Sequence, residues 1–424
     1  MRVIADFHTH SRFSRACSQN ITLQGLEGTA LEKGINLVGT GDMLHRSWLS
    51  EIRSDLEEGD GKGLFKIKGS SSNVRFILGG EVCTISNSKD NTSKRIHHCI
   101  LMPSVESVLA LRDALAKRGS LDSDGRPILL MSAAELVETV FNVDQNAFVF
   151  PAHAWTPYFG VLGSMSGFDS IKDAYEDQEK HIFALETGLS SDPLMNWCVS
   201  KLDKYTLVSN SDMHSLQKMG REANIFDVED RSFDYLTITK ALKEKDSNMF
   251  KGTIEFYPEE GKYHYDGHRE CGFSADPSSG TSICPVCGKK LVIGVLHRVL
   301  DLADRPLGFK PDNAPSVAYA VPLREILAYA LRKNTYSVAI ESQYLKLVEH
   351  FGTEFKVLMD ASVEEIAEQS SDDVAQAVKN VRENKIHIKP GYAGVFGELD
   401  LLGRDRKTER RFGSQKSLGQ FGTD

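Results

Sequence analysis

Seven apolar runs in the first half of this chain end in, or contain, side chains that bind metals or protons. Val3–Phe7 leads into His8 and His10, Asn36–Gly39 into Asp42, and Arg75–Leu78 into Glu81. Ile96–Met102 carries His97 and His98, Phe148–Phe150 precedes His153, Ile182–Leu185 precedes Glu186, and Thr206–Val208 precedes Asp212 and His214. Strands that present such residues at their C-terminal ends, separated by helical stretches, describe an α/β chain. The expected fold is a (β/α) barrel with a polynuclear metal site at its mouth.

Helical periodicity fills the gaps between those runs, over Ile21–Lys33, Ser107–Arg118, Ala133–Phe141, Leu194–Leu202 and Phe233–Lys245. Ser132 with Glu135 three residues later predicts a capped helix start. Two irregular insertions, Leu56–Asn73 and Asn87–Lys94, read as loops beside the mouth that contact substrate rather than build core. The barrel is expected to span residues 1–250.

Residues 251–293 break the pattern with turn residues and few apolar runs. His268-x2-Cys271 and Cys284-x2-Cys287 form two knuckles separated by twelve residues, a spacing that closes one tetrahedral structural zinc. Such a site stabilises a module with too little core of its own. Residues 294–398 predict a small helical C-terminal domain, with helices at Val295–Ala303, Leu323–Leu331, Ile340–Phe351, Val363–Gln369 and Val374–Glu383. Residues 399–424 read as an exposed tail.

Bulk properties exclude some classes. No apolar run approaches the roughly 20 residues of a membrane span, and His8 and His10 interrupt the first apolar stretch, so no signal peptide is expected. Seven cysteines, scattered except for Cys271, Cys284 and Cys287, suit a reducing cytoplasm. A net charge of −9 argues against nonspecific coating of nucleic acid but leaves room for a local basic surface.

His8-Thr9-His10 places both imidazoles on one strand face, and Asp212-Met213-His214 repeats that arrangement. Imidazole and carboxylate donors suit two or three divalent ions, with zinc first and manganese or magnesium as alternatives. A buried histidine alone is more often a satisfied core residue; this many at strand ends are not.

His8-Thr9-His10, Gly39-Thr40-Gly41-Asp42, Gly80-Glu81, Pro151-Ala152-His153 and Ser211-Asp212-Met213-His214 resemble the motifs of the PHP (polymerase and histidinol phosphatase) superfamily. That resemblance implies a distorted seven-stranded (β/α) barrel with three metals. It carries ligand roles onto His8, His10, Asp42, Glu81, His153, Asp212 and His214, with His97 or His98 completing the third site. Thr40-Gly41-Asp42 departs from the family's Thr-Asp-His. With the zinc module and the helical domain, the whole chain is similar to the endonuclease Q family of archaeal DNA repair enzymes. The resemblance implies cleavage of the phosphodiester 5′ of deaminated bases (hypoxanthine, uracil, xanthine) and of abasic sites in double- or single-stranded DNA. A base inside a duplex is inaccessible, so the damaged nucleotide must be flipped out.

Three further readings follow from the residues. Asp192, after the Glu186 strand, is a candidate catalytic acid or base, weighed against a helix N-cap ahead of Pro193. Trp48, Trp155, Tyr158 and Phe159 are candidate base-stacking residues, and Arg12, Arg15, Arg46 and Lys94 candidate phosphate contacts, each weighed against packing or solvation. Gln415, Leu418 and Phe421 fit the Gln-x-x-Leu-x-x-Phe pattern of peptides that dock on a sliding clamp (PCNA). A PHP small-molecule phosphatase of the histidinol-phosphate type and a metal-free DNA-binding scaffold are the rival functions. The first has no use for the appended modules, and the second leaves the ligand set unexplained.

Overall fold

The computed structural model describes residues 1–87, 92–229 and 233–403. The fold is mixed α/β around a central sheet. β1 (Arg2–Asp6) is almost wholly buried and pairs in parallel with β2 (Leu37–Gly39) across the helix Leu23–Lys33. Thr22 caps that helix by accepting from Gly25 N–H. After the helix Arg46–Asp55, a hairpin of β3 (Leu56–Glu58) and β4 (Phe65–Ile67) pairs onto β5 (Arg75–Asn87).

β5 continues the parallel ladder from β2 and forms a long antiparallel pair with β6 (Ser93–Met102). β7 (Ile128–Leu130) lies parallel to β5, and β8 (Phe148–Pro151) antiparallel to β6. β9 (Ala184–Glu186) and β10 (Thr206–Val208) form a separate parallel pair. β11 (Ala223–Asp227) returns antiparallel to β1, and β12 (Phe250–Glu255) pairs antiparallel to β11.

This hydrogen bonding differs from a uniform ring of seven parallel strands. The β5–β6 and β6–β8 ladders are antiparallel, and β9–β10 touch the rest through isolated bridges at Val149–Ile182 and Thr9–Met213. Even so, β1, β2, β5, β6, β8, β9 and β10 all send side chains into one inner cluster. Phe7, Leu37, Ile77, Leu101, Phe150, Ala184 and Val208 meet there. The strands that precede the ligands therefore share one core.

The insertion Leu56–Asn73 is not the substrate loop expected. It contributes β3 and β4, and Leu56, Leu64, Phe65 and Ile67 are buried, because these apolar residues find a sheet edge to cover. Asn87 and Lys94 end the long hairpin of β5 and β6; residues 88–91 lie outside the described residues. The expected boundary at residue 250 cuts through the central sheet, because β12 belongs to it.

The hairpin of β13 (Asp266–His268) and β14 (Phe273–Ala275) starts the cysteine-rich segment, whose own core is only Ala275, Cys284 and Leu291. β15 (Ser316–Tyr319) joins the central sheet parallel to β12. Helices Leu323–Leu331, Val338–Phe351, Val363–Gln369 and Asp372–Arg382 then pack together, three of them capped by Ser337, Ser362 and Ser371. Buried Lys33 pairs with buried Glu354 at 3.0 Å, which also accepts from Leu323 N–H and the Tyr344 hydroxyl. That network ties this helical region to the helix Leu23–Lys33.

β16 (His387–Lys389) and β17 (Glu398–Asp400) close the described fold as a hairpin, so the paired chain runs past residue 399. Gln415, Leu418 and Phe421, and the basic stretch Arg404–Arg411, lie outside the described residues.

Candidate metal centre

Five strands deliver a convergent donor set. Ligand-forming atoms of His8, His10, Glu81 and Asp212 lie within 4.8 Å of one another, and those of Glu81, His97 and His153 do likewise. Glu81 belongs to both groups and is fully buried. Its Oε1 lies 2.6 Å from His97 Nδ1 and 3.2 Å from His153 Nε2. Its Oε2 lies 3.3 Å from His10 Nε2 and 3.6 Å from His8 Nε2. One carboxylate thus presents an oxygen to each group.

A second layer aims these donors. His8 Nδ1 donates to Glu186 at 3.0 Å, and its Nε2 is buried in the centre without a hydrogen-bond partner. Glu186 also accepts from His153 N–H at 2.7 Å and from Asn210 Nδ2 at 2.8 Å. His10 Nδ1 donates to Asp42 at 3.0 Å, turning Nε2 toward Asp212 at 3.1 Å. A carboxylate behind each ligating imidazole fixes its tautomer and raises its basicity.

The electrostatics fit a bound cation. Burial opposes ionisation of Glu81, yet His97, His8 and the hydrogen bonds from His10 and His153 hold its pKa well below the usual carboxylate range. Burial also opposes charge on His10, but Asp212, Asp42 and Glu81 raise its pKa well above normal. Burial pushes His97 down to about 4, leaving the neutral imidazole that metals require. An orphaned imidazole nitrogen beside ionised carboxylates marks a place for positive charge.

Backbone strain concentrates here. Asp42, His153 and Asp212 adopt left-handed φ values of 45°, 32° and 45°. Such conformations cost roughly 1–3 kcal/mol each and persist where surrounding structure imposes them. Gly188 is required next to them: its φ is +60°, and a Cβ there would meet His153 Cβ at 2.5 Å.

Several expected residues stand elsewhere. Asp42 does not join the ligand cluster, because Ser11 N–H, the Ser11 and Ser14 hydroxyls and His10 already occupy its oxygens. His98 faces the other side of β6, hydrogen-bonded to the Tyr175 hydroxyl and Thr84 Oγ1 at 2.9 Å each, and burial pushes its pKa down to about 3. His214 stands at the rim, a third exposed, its ring 4.8 Å from that of His10. Asp192 is a buried helix cap: it accepts from Met195 N–H at 2.8 Å and from the Tyr319 hydroxyl. Each of its oxygens is thus engaged by one of these groups.

Trp48 and Trp155 are fully buried and hydrogen-bonded, so they pack rather than stack on bases. Tyr158 is exposed, and Phe159 stacks on His97 with centroids 4.5 Å apart. Arg12 is paired with Glu51 at 2.7 Å and Lys94 is spent on the Gly167 carbonyl, whereas Arg15 and Arg46 are exposed.

Two residues escaped sequence reasoning. Arg126 reaches the cluster from a turn-rich loop, with Nη1 3.1 Å from Glu81 Oε2 and about a quarter of its side chain accessible. Neighbouring Gly125 lies so close that a Cβ would meet Asp42 Oδ2 at 2.2 Å. Cys99 forms a third group with His8 and Glu186. The glycines and aspartates of residues 119–125 signalled a loop, but nothing in the sequence aimed it at this site.

His268, Cys271, Cys284 and Cys287 also converge within 4.8 Å, with Cys287 Sγ 3.5 Å from His268 Nδ1. Gly272 and Gly288 follow the knuckle cysteines with φ of 61° and 73°. Three thiols and an imidazole suit tetrahedral zinc.

Residues 322–385 match the family model of the MJ0043 C-terminal domain. The chain is 28% identical over 416 residues to YqxK of Bacillus subtilis (strain 168), covering 94% of this chain and 99% of that protein. It is similar to the crystal structure of the lesion-specific endonuclease PfuEndoQ from Pyrococcus furiosus, with TM-score 0.82 and 34% identity over 94% of this chain and 95% of that one. It is equally similar to endonuclease Q in complex with a 27-mer duplex carrying an abasic lesion at the active site. There the TM-score is 0.81 and the identity 34%, over 94% and 96% of the two chains. Among the described residues, no helix is long and apolar enough to cross a membrane.

Proposed function

Because this chain belongs to the endonuclease Q family, we propose that it is a metal-dependent DNA repair endonuclease. In this reading it hydrolyses the phosphodiester 5′ of deaminated bases (hypoxanthine, uracil, xanthine) and of abasic sites. The observation that carries the reading is the pairing of 34% identity along nearly the whole chain with a convergent donor set built on Glu81. The ring of strands with its shared inner cluster is read as the distorted seven-stranded PHP barrel, carrying the zinc module and the helical region.

His8, His10, Glu81, His97, His153 and Asp212 would hold two or three divalent ions, zinc or else manganese or magnesium, with His214 at the rim. Such ions supply water activation at neutral pH and offset charge on the oxygens around phosphorus. The protein's own residues do the rest. Glu186 and Asp42 fix the imidazoles of His8 and His10. Arg126, accessible and cationic, clamps the scissile phosphate and orients it for in-line attack. The damaged nucleotide turns out of the helix, which costs least where pairing is already lost, and this sets the preference for deaminated and abasic positions. The tail segment Gln415–Phe421 tethers the enzyme to a sliding clamp.

The test incubates metal-loaded protein with oligonucleotides carrying one deoxyinosine and, in parallel, with small phosphate esters. A nick at the lesion supports the proposal. Phosphate release from esters without a nick, or binding without cleavage, overturns it.

A further inference from the structure

Behind the donor cluster lies a second, purely oxygen-lined site. The antiparallel register of β11 and β12 pairs Ala223 with Ile254, so the next step sets Glu222 against Glu255. Both residues are fully buried. Each has one oxygen satisfied: Phe256 N–H donates to Glu222 Oε1 at 3.3 Å, and the Thr187 hydroxyl to Glu255 Oε2 at 3.1 Å. The other oxygen of each, Glu222 Oε2 and Glu255 Oε1, has no hydrogen-bond partner. The buried hydroxyls of Ser209 and Thr253 face Glu255 closely enough to favour its ionised form, yet neither is aligned for a full hydrogen bond. The adjacent guanidinium of Arg221 hydrogen-bonds the carbonyls of Ser211 at 2.9 Å and Asp212 at 3.4 Å, and its charge offsets only part of the burial and repulsion that raise the pKa of Glu222.

Two facing carboxylates in the interior carry a desolvation cost of several kcal/mol unless a positive charge joins them. Carboxylate and hydroxyl oxygens, with no nitrogen or sulfur among them, select a hard ion rather than zinc. We propose that Glu222, Glu255, Ser209 and Thr253 form an internal site for a hard cation, one of Na⁺, K⁺, Mg²⁺ or Ca²⁺. The ion braces the strands beneath the nuclease centre. Ser209 N–H donates to Asn224, Asn224 to Asn210, and Asn210 to Glu186, at 3.0, 2.9 and 2.8 Å. Glu186 in turn orients His8.

The test uses the full chain saturated with zinc and dialysed separately against each of the four cations, with tetramethylammonium as control. Bound metal is counted by plasma mass spectrometry, and the unfolding temperature is followed. The expected result is one equivalent of one of these cations beyond zinc, with a raised Tm. Glu255→Gln and Ser209→Ala should each lose that equivalent while keeping their zinc; Ser209→Ala and Thr253→Val decide the matter if Glu255→Gln fails to fold. No equivalent beyond zinc overturns the site, as does an equivalent that survives these substitutions. Stability that answers to pH but to no cation overturns it too, since the pair then shares a proton.

Discussion

Replacing Glu186 by Gln probes the layer that aims the donors without removing any of them. The carboxylate receives N–H groups from His8 at 3.0 Å, His153 at 2.7 Å and Asn210 at 2.8 Å. Gln keeps the volume but has one carbonyl oxygen and one NH2. Whichever way the amide turns, a donor then faces Asn210 Nδ2 or His153 N–H. At least one charge-assisted bond is lost, worth about 1.5–3 kcal/mol. At 1.4 kcal/mol per tenfold that is roughly ten- to hundredfold, the range expected for outer partners of metal ligands. The assay records cleavage rate against metal concentration, alongside zinc affinity by competition with a chelator. The curve should shift to higher metal by that factor, with most of the plateau rate recovered. An unchanged curve refutes the argument. So does a collapsed plateau at unchanged affinity, because Glu186 would then act on the substrate.

Asp192→Ala should cost about 1–2 kcal/mol of stability through the lost cap, seen in urea midpoints, while single-turnover cleavage per folded molecule holds. A hundredfold loss of rate in a folded, fully metallated protein would restore an acid–base role. Burial and Glu325, against Lys218 and Arg221, push Glu260 up to about 8 from 4.5. The folded carboxyl keeps its proton where the unfolded one has lost it. That stabilisation is therefore full below pH about 4.5 and drains away as pH rises to about 8, at up to ~1.4 kcal/mol per unit. Glu260→Gln should flatten this fall in Tm, and an identical slope in both proteins would rule it out. Deleting residues 414–424 should abolish clamp binding and leave cleavage of free DNA intact; retained binding ends the tether idea.

What the sequence revealed followed period and spacing. Runs such as Val3–Phe7 and Phe148–Phe150 become strands because they are mainly apolar and buried on both faces, and histidines just beyond them inherit a direction. The knuckle pairs were legible because their paired spacing is one that lets His268, Cys271, Cys284 and Cys287 converge. Burial within the Leu56–Asn73 segment was hidden, since Phe65 and Ile67 sit among Gly, Ser and Lys and need a sheet edge to cover. The choice between His97 and His98 depends on which face of β6 looks inward, which alternation alone leaves open. Arg126 and the Glu222–Glu255 pairing come from loop placement and strand register, neither of which local pattern encodes.

In the proposed function the strand-end donor set cuts DNA beside a lesion. The most direct test is end-mapping of a duplex with a single deoxyinosine, labelled in turn at each end and incubated with metal-loaded protein and with Glu81→Ala. The expected products are one nick 5′ of the lesion, a 3′-hydroxyl on the upstream fragment and the lesion retained on a downstream 5′-phosphate. No nick is expected without metal or with Glu81→Ala. Release of the free base, nicking unrelated to the lesion, or full activity in Glu81→Ala would contradict the proposal.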